Sequence, residues 1–295
     1  MDDFKPFPAV IAGCMNWGQW GARFDTTDYR RMIESCLETG VDVFDHADIY
    51  GHYTTEAEFG KALQESPSLR ERMQLITKCG IRLVTPNRPD YQIKSYDTSR
   101  RHIVASAEQS LRNLHTDRID LLLVHRPDPL MDPQEVAEAF RLLSESGKVL
   151  RFGVSNFNTD QVDLLRRHHP VEANQVEVSV LHTDCLYNGV LDQAIREGIG
   201  IQAWSPLGAG KLNGDSTDER ARRVTAMADI LAGKHGCKPG QILLAWLHRH
   251  PARIVPVVGT TRIERIRDAV GSKGIRLSAE EWFMLLRAST GHEVA

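Results

Sequence analysis

A chain of 295 residues, 41% hydrophobic and 25% charged, carries enough apolar material for one large core and is not of disordered composition. Its formal net charge of -3, from 36 Lys and Arg against 39 Asp and Glu, gives no basic footprint for nucleic acid. No apolar stretch reaches membrane-spanning length, the start MDDFKPFPAVIAG reads as neither signal nor anchor, and five scattered cysteines without C-x-x-C spacing (Cys14, Cys36, Cys79, Cys185, Cys237) fit free thiols in a cytoplasmic protein.

Short apolar, β-branched runs alternate with helical patterns along the chain. Strands are predicted over 9–14, 42–49, 73–79, 119–125, 151–157, 174–180, 200–207 and 253–260. Ile33, Cys36 and Leu37 share the face of a helix that Gly40 stops. Ile103, Ala107, Leu111 and Leu114 mark another, and Val136, Phe140 and Leu143 a third, closed by Gly147. Strands alternating with helices imply a parallel sheet with crossover connections. At this strand count the simplest closure is a (β/α)8 TIM barrel, one domain spanning 1–295; a doubly wound open sheet is the competing fold. The stretch from Gly208 to about Asp218 has no strand signal and reads as a loop after the seventh strand.

In such a barrel, chemistry gathers where the strands end. The second strand runs into "FDHADIYG", with Asp45 at its end and Tyr50 just beyond. The third ends in Lys78, the fourth in His125 and the fifth in Ser155 and Asn156; Gln175 lies on the sixth, and Trp204 and Ser205 end the seventh. Each has a bland reading when taken alone. Lys78 or Asp45 would be an ion-paired strand end, Ser155 and Asn156 would cap a helix beginning near Asp160, and Trp204 would belong to the core.

D-x-A-x-x-Y at Asp45 to Tyr50, I-T-K at Ile76 to Lys78, L-L-L-V-H-R-P at Leu121 to Pro127 and G-V-S-N-F at Gly153 to Phe157 together resemble the aldo-keto reductases, over nearly the whole chain and in the right order. The variants "HADIYG" and "HRPDPLM" resemble a bacterial branch of predicted oxidoreductases. The resemblance implies reduction of a small-molecule carbonyl by a nicotinamide cofactor on a barrel, without metal, and a catalytic tetrad of Asp45, Tyr50, Lys78 and His125. The chemistry is coherent. Tyrosine, with an ordinary pKa near 10, is a reluctant acid; a Lys78 ammonium would lower that pKa, Asp45 would hold the lysine, and a neutral His125 would orient the carbonyl.

No G-x-G-x-x-G joins a strand to a helix, and the Gly208, Gly210, Gly214 loop lacks the spacing and the following helix. V-V-G-T-T-R-I-E-R-I-R at Val257 to Arg267 instead puts Thr260, Thr261, Arg262 and Arg265 at a helix start, a ready anion site; a solvated charged face is the alternative. The resemblance assigns this segment, Gly259 included, to the adenosine 2'-phosphate and so implies NADP(H) over NAD(H), although Gly259 and Ala269 depart from the lysine and amide that many members carry. It further implies Ser155, Asn156 and Gln175 at the carboxamide, Trp204 on the nicotinamide ring, Ser205 and Leu207 at the pyrophosphate and Asp268 at the adenine.

Met15, Trp17 and Trp20 follow the first strand and, with Arg126, are candidates for substrate contact; Arg126 would favour anionic or polar substrates or would pair with Asp128. His46 and Asp48 read as structural or loop-ordering, and His168 with His169 as an exposed helix end. Two other classes compete: a metal-dependent barrel hydrolase using His46, Asp48 and His125, and a non-catalytic nicotinamide-nucleotide-binding redox sensor subunit. No sequence pattern marks an oligomer interface.

Overall fold

The computed structural model describes residues 8–212 and 216–293. Ten strands run in chain order as β1 (Ile11–Gly13), β2 (Val43–Asp45), β3 (Gln74–Cys79), β4 (Ile81–Arg82), β5 (Ser95–Tyr96), β6 (Leu121–Val124), β7 (Phe152–Ser155), β8 (Ala173–Glu177), β9 (Gly200–Trp204) and β10 (Val255–Val258). Eight of them close into a barrel in the order β1-β10-β9-β8-β7-β6-β3-β2, and β4 pairs with β5 in a separate antiparallel ribbon. The expected barrel is therefore the observed one. Two compact units are distinguished, Ala12–Gln175 with Gly259–Thr261 and the remaining described residues.

In the first unit the helices begin where the sequence supplies a side-chain acceptor for an unpaired backbone N–H. Asp25 and Asp28 form a capping box at Thr26–Glu38, Ser99 caps Arg100–Asn113, and Asp132 caps Pro133–Glu145. The helix Thr159–Arg166 is capped by Asn158 in a box with Gln161, so Ser155 and Asn156 are not its caps. Apolar side chains at helical spacing then cover the strands: Ile33 and Cys36 from the first helix, Ile103, Ala107 and Leu111 from the second, Val136 and Phe140 from the third, all buried.

The core of this unit is aromatic near the first strands. Trp17 lies 6.0 to 6.3 Å from the rings of Phe24, Tyr29, Phe44 and Phe59. His46 belongs to the same layer. One residue after Asp45, it points to the opposite side of the strand, and its ring meets Phe59 edge-on at 4.5 Å. Both ring nitrogens are buried without a hydrogen-bond partner. Burial, with help from the Lys78 charge, drives its pKa down from 6.5 to about 3.

In the second unit, β9 and β10 pair in parallel, Val255 opposite Gln202. The helices Pro239–His248 and Ala279–Thr290 are joined by stacked Trp246 and Trp282, 4.8 Å apart, each indole N–H donating to the other's backbone carbonyl. Of the loop expected from Gly208 to about Asp218, Gly208–Gly210 forms a short 3-10 turn; Gly214 lies outside the described residues. A long excursion that the periodicity does not announce follows β3, running through β4 and β5 to the helix at Arg100.

Two stability outcomes follow from this packing. Gly60, in the helix Thr55–Glu65, lies so close to the end of the next helix that an added Cβ would stand 1.9 Å from the Asn113 carbonyl oxygen. Gly60→Ala should lower stability by about 2 kcal/mol despite alanine's better helix propensity, read as a urea midpoint; an unchanged midpoint would show that the helices part freely. His46 is neutral in the fold and ordinary in the unfolded chain, so the unfolded state takes up a proton that the folded state refuses as pH falls below 6.5. Stability should drop on the order of 4 kcal/mol between pH 6.5 and about 3 from this group alone. His46→Leu should flatten that part of the pH curve, and parallel curves for the two proteins would contradict the assignment.

Candidate active site

The register sets the site. Asp45 of β2 pairs with Ile76 of β3, Lys78 of β3 with Leu123 of β6, and Ser155 of β7 with Gln175 of β8. Backbone bonding continues past the strand ends, from His46 N to Ile76 O (2.8 Å), Asp48 N to Lys78 O (3.0 Å), His125 N to Cys79 O (2.8 Å) and Asn156 N to Gln175 O (3.0 Å). Polar side chains at neighbouring strand ends are thus held by sheet geometry.

Lys78 is the hub. Its ammonium donates to both Asp45 carboxylate oxygens at 2.8 Å, to the His46 carbonyl at 2.8 Å and to the Tyr50 hydroxyl at 3.2 Å. Gln175 Nε2 donates to Asp45 Oδ1 at 2.8 Å, and the His125 ring stands 6.1 Å from that of Tyr50. Lys78 is 1% exposed and Asp45 2%, so neither charge has water to turn to. Burial alone would discharge the lysine, but Asp45 and Tyr50 outweigh it and hold the amine above its ordinary value.

The two groups facing Lys78 respond differently. Burial raises the Tyr50 phenol above 10, and the Lys78 ammonium pulls against that shift without reversing it. This corrects the sequence-based expectation of a lowered tyrosine pKa, because desolvation of the phenolate is the larger effect. His125 is held well below its ordinary range by burial first, then by the Lys78, Arg126 and Lys94 charges. The site therefore presents a protonated phenol, a permanent ammonium and a neutral imidazole at neutral pH.

Tyr50 opens an unusual turn. Gly51, His52 and Tyr53 all have positive φ, at 58°, 60° and 70°. Glycine is required at the first, since a Cβ there would lie 2.5 Å from Thr55 Oγ1; the other two each cost about 1–2 kcal/mol of local strain. The excursion after β3 holds this turn. Tyr53 OH accepts from Leu83 N (2.9 Å) and donates to Ile81 O (3.3 Å), Asn87 Nδ2 donates to His52 O (2.8 Å), and the Arg88 guanidinium lies 4.5 Å from the Tyr53 ring centre. Sequence reasoning missed Tyr53, Asn87 and Arg88; the turn residues of T-P-N-R-P-D at 85–90 were the available signal.

The other candidates divide. Ser155 Oγ donates to Gln175 O at 2.8 Å and Asn156 Nδ2 to Ser155 Oγ at 2.7 Å, with Asn156 left-handed at φ 62°. Gly259 O accepts from Asn16 Nδ2 (3.1 Å) and Thr260 O from Trp17 Nε1 (3.0 Å), which fixes the Gly259, Thr260, Thr261 segment. In the other unit Trp204, Ser205 and Leu207 are half-buried and Ser205 is left-handed at φ 49°. Arg262 precedes the helix Ile263–Gly271, Arg265 is exposed in its first turn, and the Asp268 carboxylate is taken by Lys238 at 2.7 and 2.8 Å.

Trp17 leaves the substrate set, being fully buried in the aromatic core with its N–H bonded to Thr260. Trp20 is half-buried, 6.0 Å from Tyr50 and 5.4 Å from His52; Met15 is exposed, and Arg126 is half-buried beside His125. The Asp128 carboxylate accepts from Thr98 Oγ1 (3.0 Å) and Leu130 N (2.8 Å). His46, one of the three ligands a metal hydrolase would need, packs on Phe59 instead, and Asp48 is pushed towards its neutral form by burial and by Glu56.

The sequence profile of the aldo/keto reductase family matches residues 9–288. The chain is 43% identical over 290 residues to the uncharacterized oxidoreductase YcsN of Bacillus subtilis (strain 168), covering 98% of this chain and 96% of that protein. It is 40% identical over 285 residues to a 6-dehydroglucose reductase of Agrobacterium fabrum, covering 95% of each. A crystal structure of an aldo/keto reductase from Klebsiella pneumoniae with NADP and acetate superposes with a TM-score of 0.78 at 26% identity, over 95% of this chain and 91% of that one. The barrel, the profile and these identities agree: the chain belongs to the aldo/keto reductase family.

Proposed function

We propose that the protein is an NADPH-dependent reductase of small aldehydes or ketones, working in the cytoplasm, with Tyr50 as proton donor. The observation that carries this reading is the buried Lys78 ammonium, bonded at once to Asp45 and to the Tyr50 hydroxyl. Five free cysteines agree with a reducing compartment.

The side chains suit a nicotinamide nucleotide by their chemistry. Ser155 and Asn156 offer a hydroxyl and an amide for a carboxamide, with Gln175 beside them, and the left-handed Asn156 backbone is the kind of local strain that functional positions retain. Trp204 would lie on the ring, Ser205 and Leu207 at the pyrophosphate and Asp268 at the adenine. Gly259, Thr260, Thr261 and Arg262 precede a nine-residue helix in the chain and Arg265 lies in its first turn, where cationic side chains and a helix N-terminus favour a phosphate. When bound, the reduced nicotinamide supplies the hydride for the carbonyl carbon.

The proton comes from the chain. Tyr50 starts protonated, as its raised pKa requires, and gives its proton to the carbonyl oxygen as charge develops there. Lys78, at 3.2 Å, stabilises the phenolate left behind, and Asp45 keeps the lysine charged and in place. Neutral His125 donates a hydrogen bond that orients the carbonyl. The 6-dehydroglucose reductase activity of the Agrobacterium relative makes an oxidised sugar a sensible member of the substrate panel. Arg126 and Trp20 flank this chemistry as candidate substrate contacts.

NADPH oxidation should be detected with at least one of a panel of aldehydes, ketones, quinones and dehydro-sugars. Tyr50→Phe should lower kcat by at least about a hundredfold while leaving NADPH affinity nearly unchanged; full turnover in the variant would sink the assignment. Tight NADPH binding without turnover would instead favour the redox-sensor reading. Arg265→Ala should weaken NADPH about tenfold or more through loss of a charge-assisted contact and leave NADH nearly untouched, as titrated by fluorescence. Equal losses for the two nucleotides would argue against a 2'-phosphate contact.

A further inference from the structure

Tyr50 and Lys78 meet through one hydrogen bond, and the two partners are held very differently. Lys78 is fixed by three strong bonds, to the two Asp45 oxygens and the His46 carbonyl. Tyr50 sits outside the strands, and its place is decided by the turn it begins. That turn is tied to it directly: Tyr53 N donates to Ile49 O (3.3 Å), Thr54 N to Tyr50 O (3.1 Å) and Thr54 Oγ1 to Gly51 O (2.8 Å).

The turn does not hold itself. His52 and Tyr53 carry β-carbons in the left-handed region, where the side chain crowds its own carbonyl. Such residues persist only where the surroundings over-determine them. Besides Trp20, whose ring meets that of His52 edge-on at 5.4 Å, the surroundings are the excursion after β3, closed on itself by the pairing of Ile81 with Tyr96 and Arg82 with Ser95. The excursion contributes the Ile81 carbonyl and Leu83 N–H to the Tyr53 hydroxyl, the Asn87 amide to the His52 carbonyl and the Arg88 guanidinium to the Tyr53 ring. Arg88 and Tyr53 stack, while Arg82 lies 4.3 Å over Tyr91 within the excursion and stiffens it. Burial first pushes the Tyr53 phenol up to about 12, so it stays a hydroxyl, both donor and acceptor, at any working pH.

We propose that Tyr53 is a positioning residue for the reaction, and that the excursion from Gly80 to Ser99 acts through Tyr53 and the His52 carbonyl as a clamp that sets the Tyr50 hydroxyl against Lys78. The inference rests on the reductase reading for its catalytic consequence, but the placement of Tyr50 is testable without it. Because Lys78 cannot follow a displaced phenol, loss of the clamp lengthens the Tyr50 to Lys78 contact. Proton donation suffers while the residues proposed to bind the nucleotide are unaffected. The clamp also makes the excursion the route by which a bound substrate touching it would reach the proton donor.

Two variants cut the clamp from opposite sides. Tyr53→Phe keeps the ring for Arg88 and removes only the hydroxyl bridge; Asn87→Ala removes the bond to His52 from an exposed side chain and leaves the core intact. Both should fold with nearly the parent melting midpoint. With tyrosine labelled at Cζ by 13C, the Tyr50 resonance, assigned by its loss in Tyr50→Phe, should shift or broaden in each variant. In the full enzyme kcat should fall about tenfold, the order expected for a small misplacement of a reacting group, with NADPH affinity within about twofold of the parent.

An unmoved Tyr50 resonance in both variants overturns the proposal whatever happens to turnover, and so does a displaced resonance with unchanged kcat. Should the parent itself oxidise no NADPH with any carbonyl, the reductase reading fails, and the resonance alone decides whether the clamp places Tyr50. If Tyr53→Phe fails to fold, Asn87→Ala carries the same test.

Discussion

A lysine that is 1% exposed can keep its charge only if something replaces the water it has lost, and in this protein the replacement is Asp45. An unpaired ammonium in such a place would cost several kcal/mol and would shed its proton instead. The bidentate contact at 2.8 Å, with the His46 carbonyl accepting a further hydrogen bond from the ammonium, makes the charge tenable. Gln175 then satisfies Asp45 from across the barrel unit it shares. Strand register, the identity of the residues at four strand ends and the electrostatics of Tyr50 and His125 all converge on this one ion pair.

Its consequence for the neighbouring groups runs against a simple reading. A cation beside a tyrosine lowers its pKa, but here the same burial that intensifies the Lys78 field also penalises the phenolate, and the penalty outweighs the field. Tyr50 therefore keeps its proton at neutral pH. The same field and the same burial act in one direction on His125, since both disfavour the imidazolium. Two titratable groups whose rings stand 6.1 Å apart are thus both neutral beside a permanent charge, Tyr50 because burial outweighs the Lys78 field and His125 because burial and field act together, an arrangement suited to donating hydrogen bonds.

The segment "FDHADIYG" shows how far such an arrangement can be read from residues alone. Asp45 and Tyr50 were legible because a carboxylate and a phenol stand where a barrel strand ends, and Lys78 and His125 because each closes an apolar run. The eight barrel strands were legible for the same reason, though each is shorter than its apolar run. His46 was not assignable, because period-two alternation says that it faces away from Asp45 but not that Phe59 waits there without a polar partner. Trp17 misled because a loop has no periodicity to tell an inward from an outward aromatic. The ribbon of β4 and β5 left no trace, since two-residue strands show no alternation, and cation–π contacts such as Arg88 on Tyr53 join residues 35 positions apart.

What escaped the sequence is therefore of one kind. Strand-end chemistry is local in the chain and survives as a motif, whereas the support of that chemistry is distant and survives only as scattered Pro, Asn, Arg and Tyr. Lys78 needs no such support, because sheet hydrogen bonds on both sides fix its backbone and Asp45 fixes its head. Tyr50 does, because it lies five residues past its strand's last residue, on a left-handed turn whose second and third residues resist their own conformation. A rigid cation facing the proposed proton donor on a strained turn would put the geometry of proton transfer under the control of whatever holds that turn. In this chain the holder is an excursion between the third barrel strand and its helix, so sequence changes there reach Tyr50 without touching any residue of the Asp45, Lys78 and His125 set.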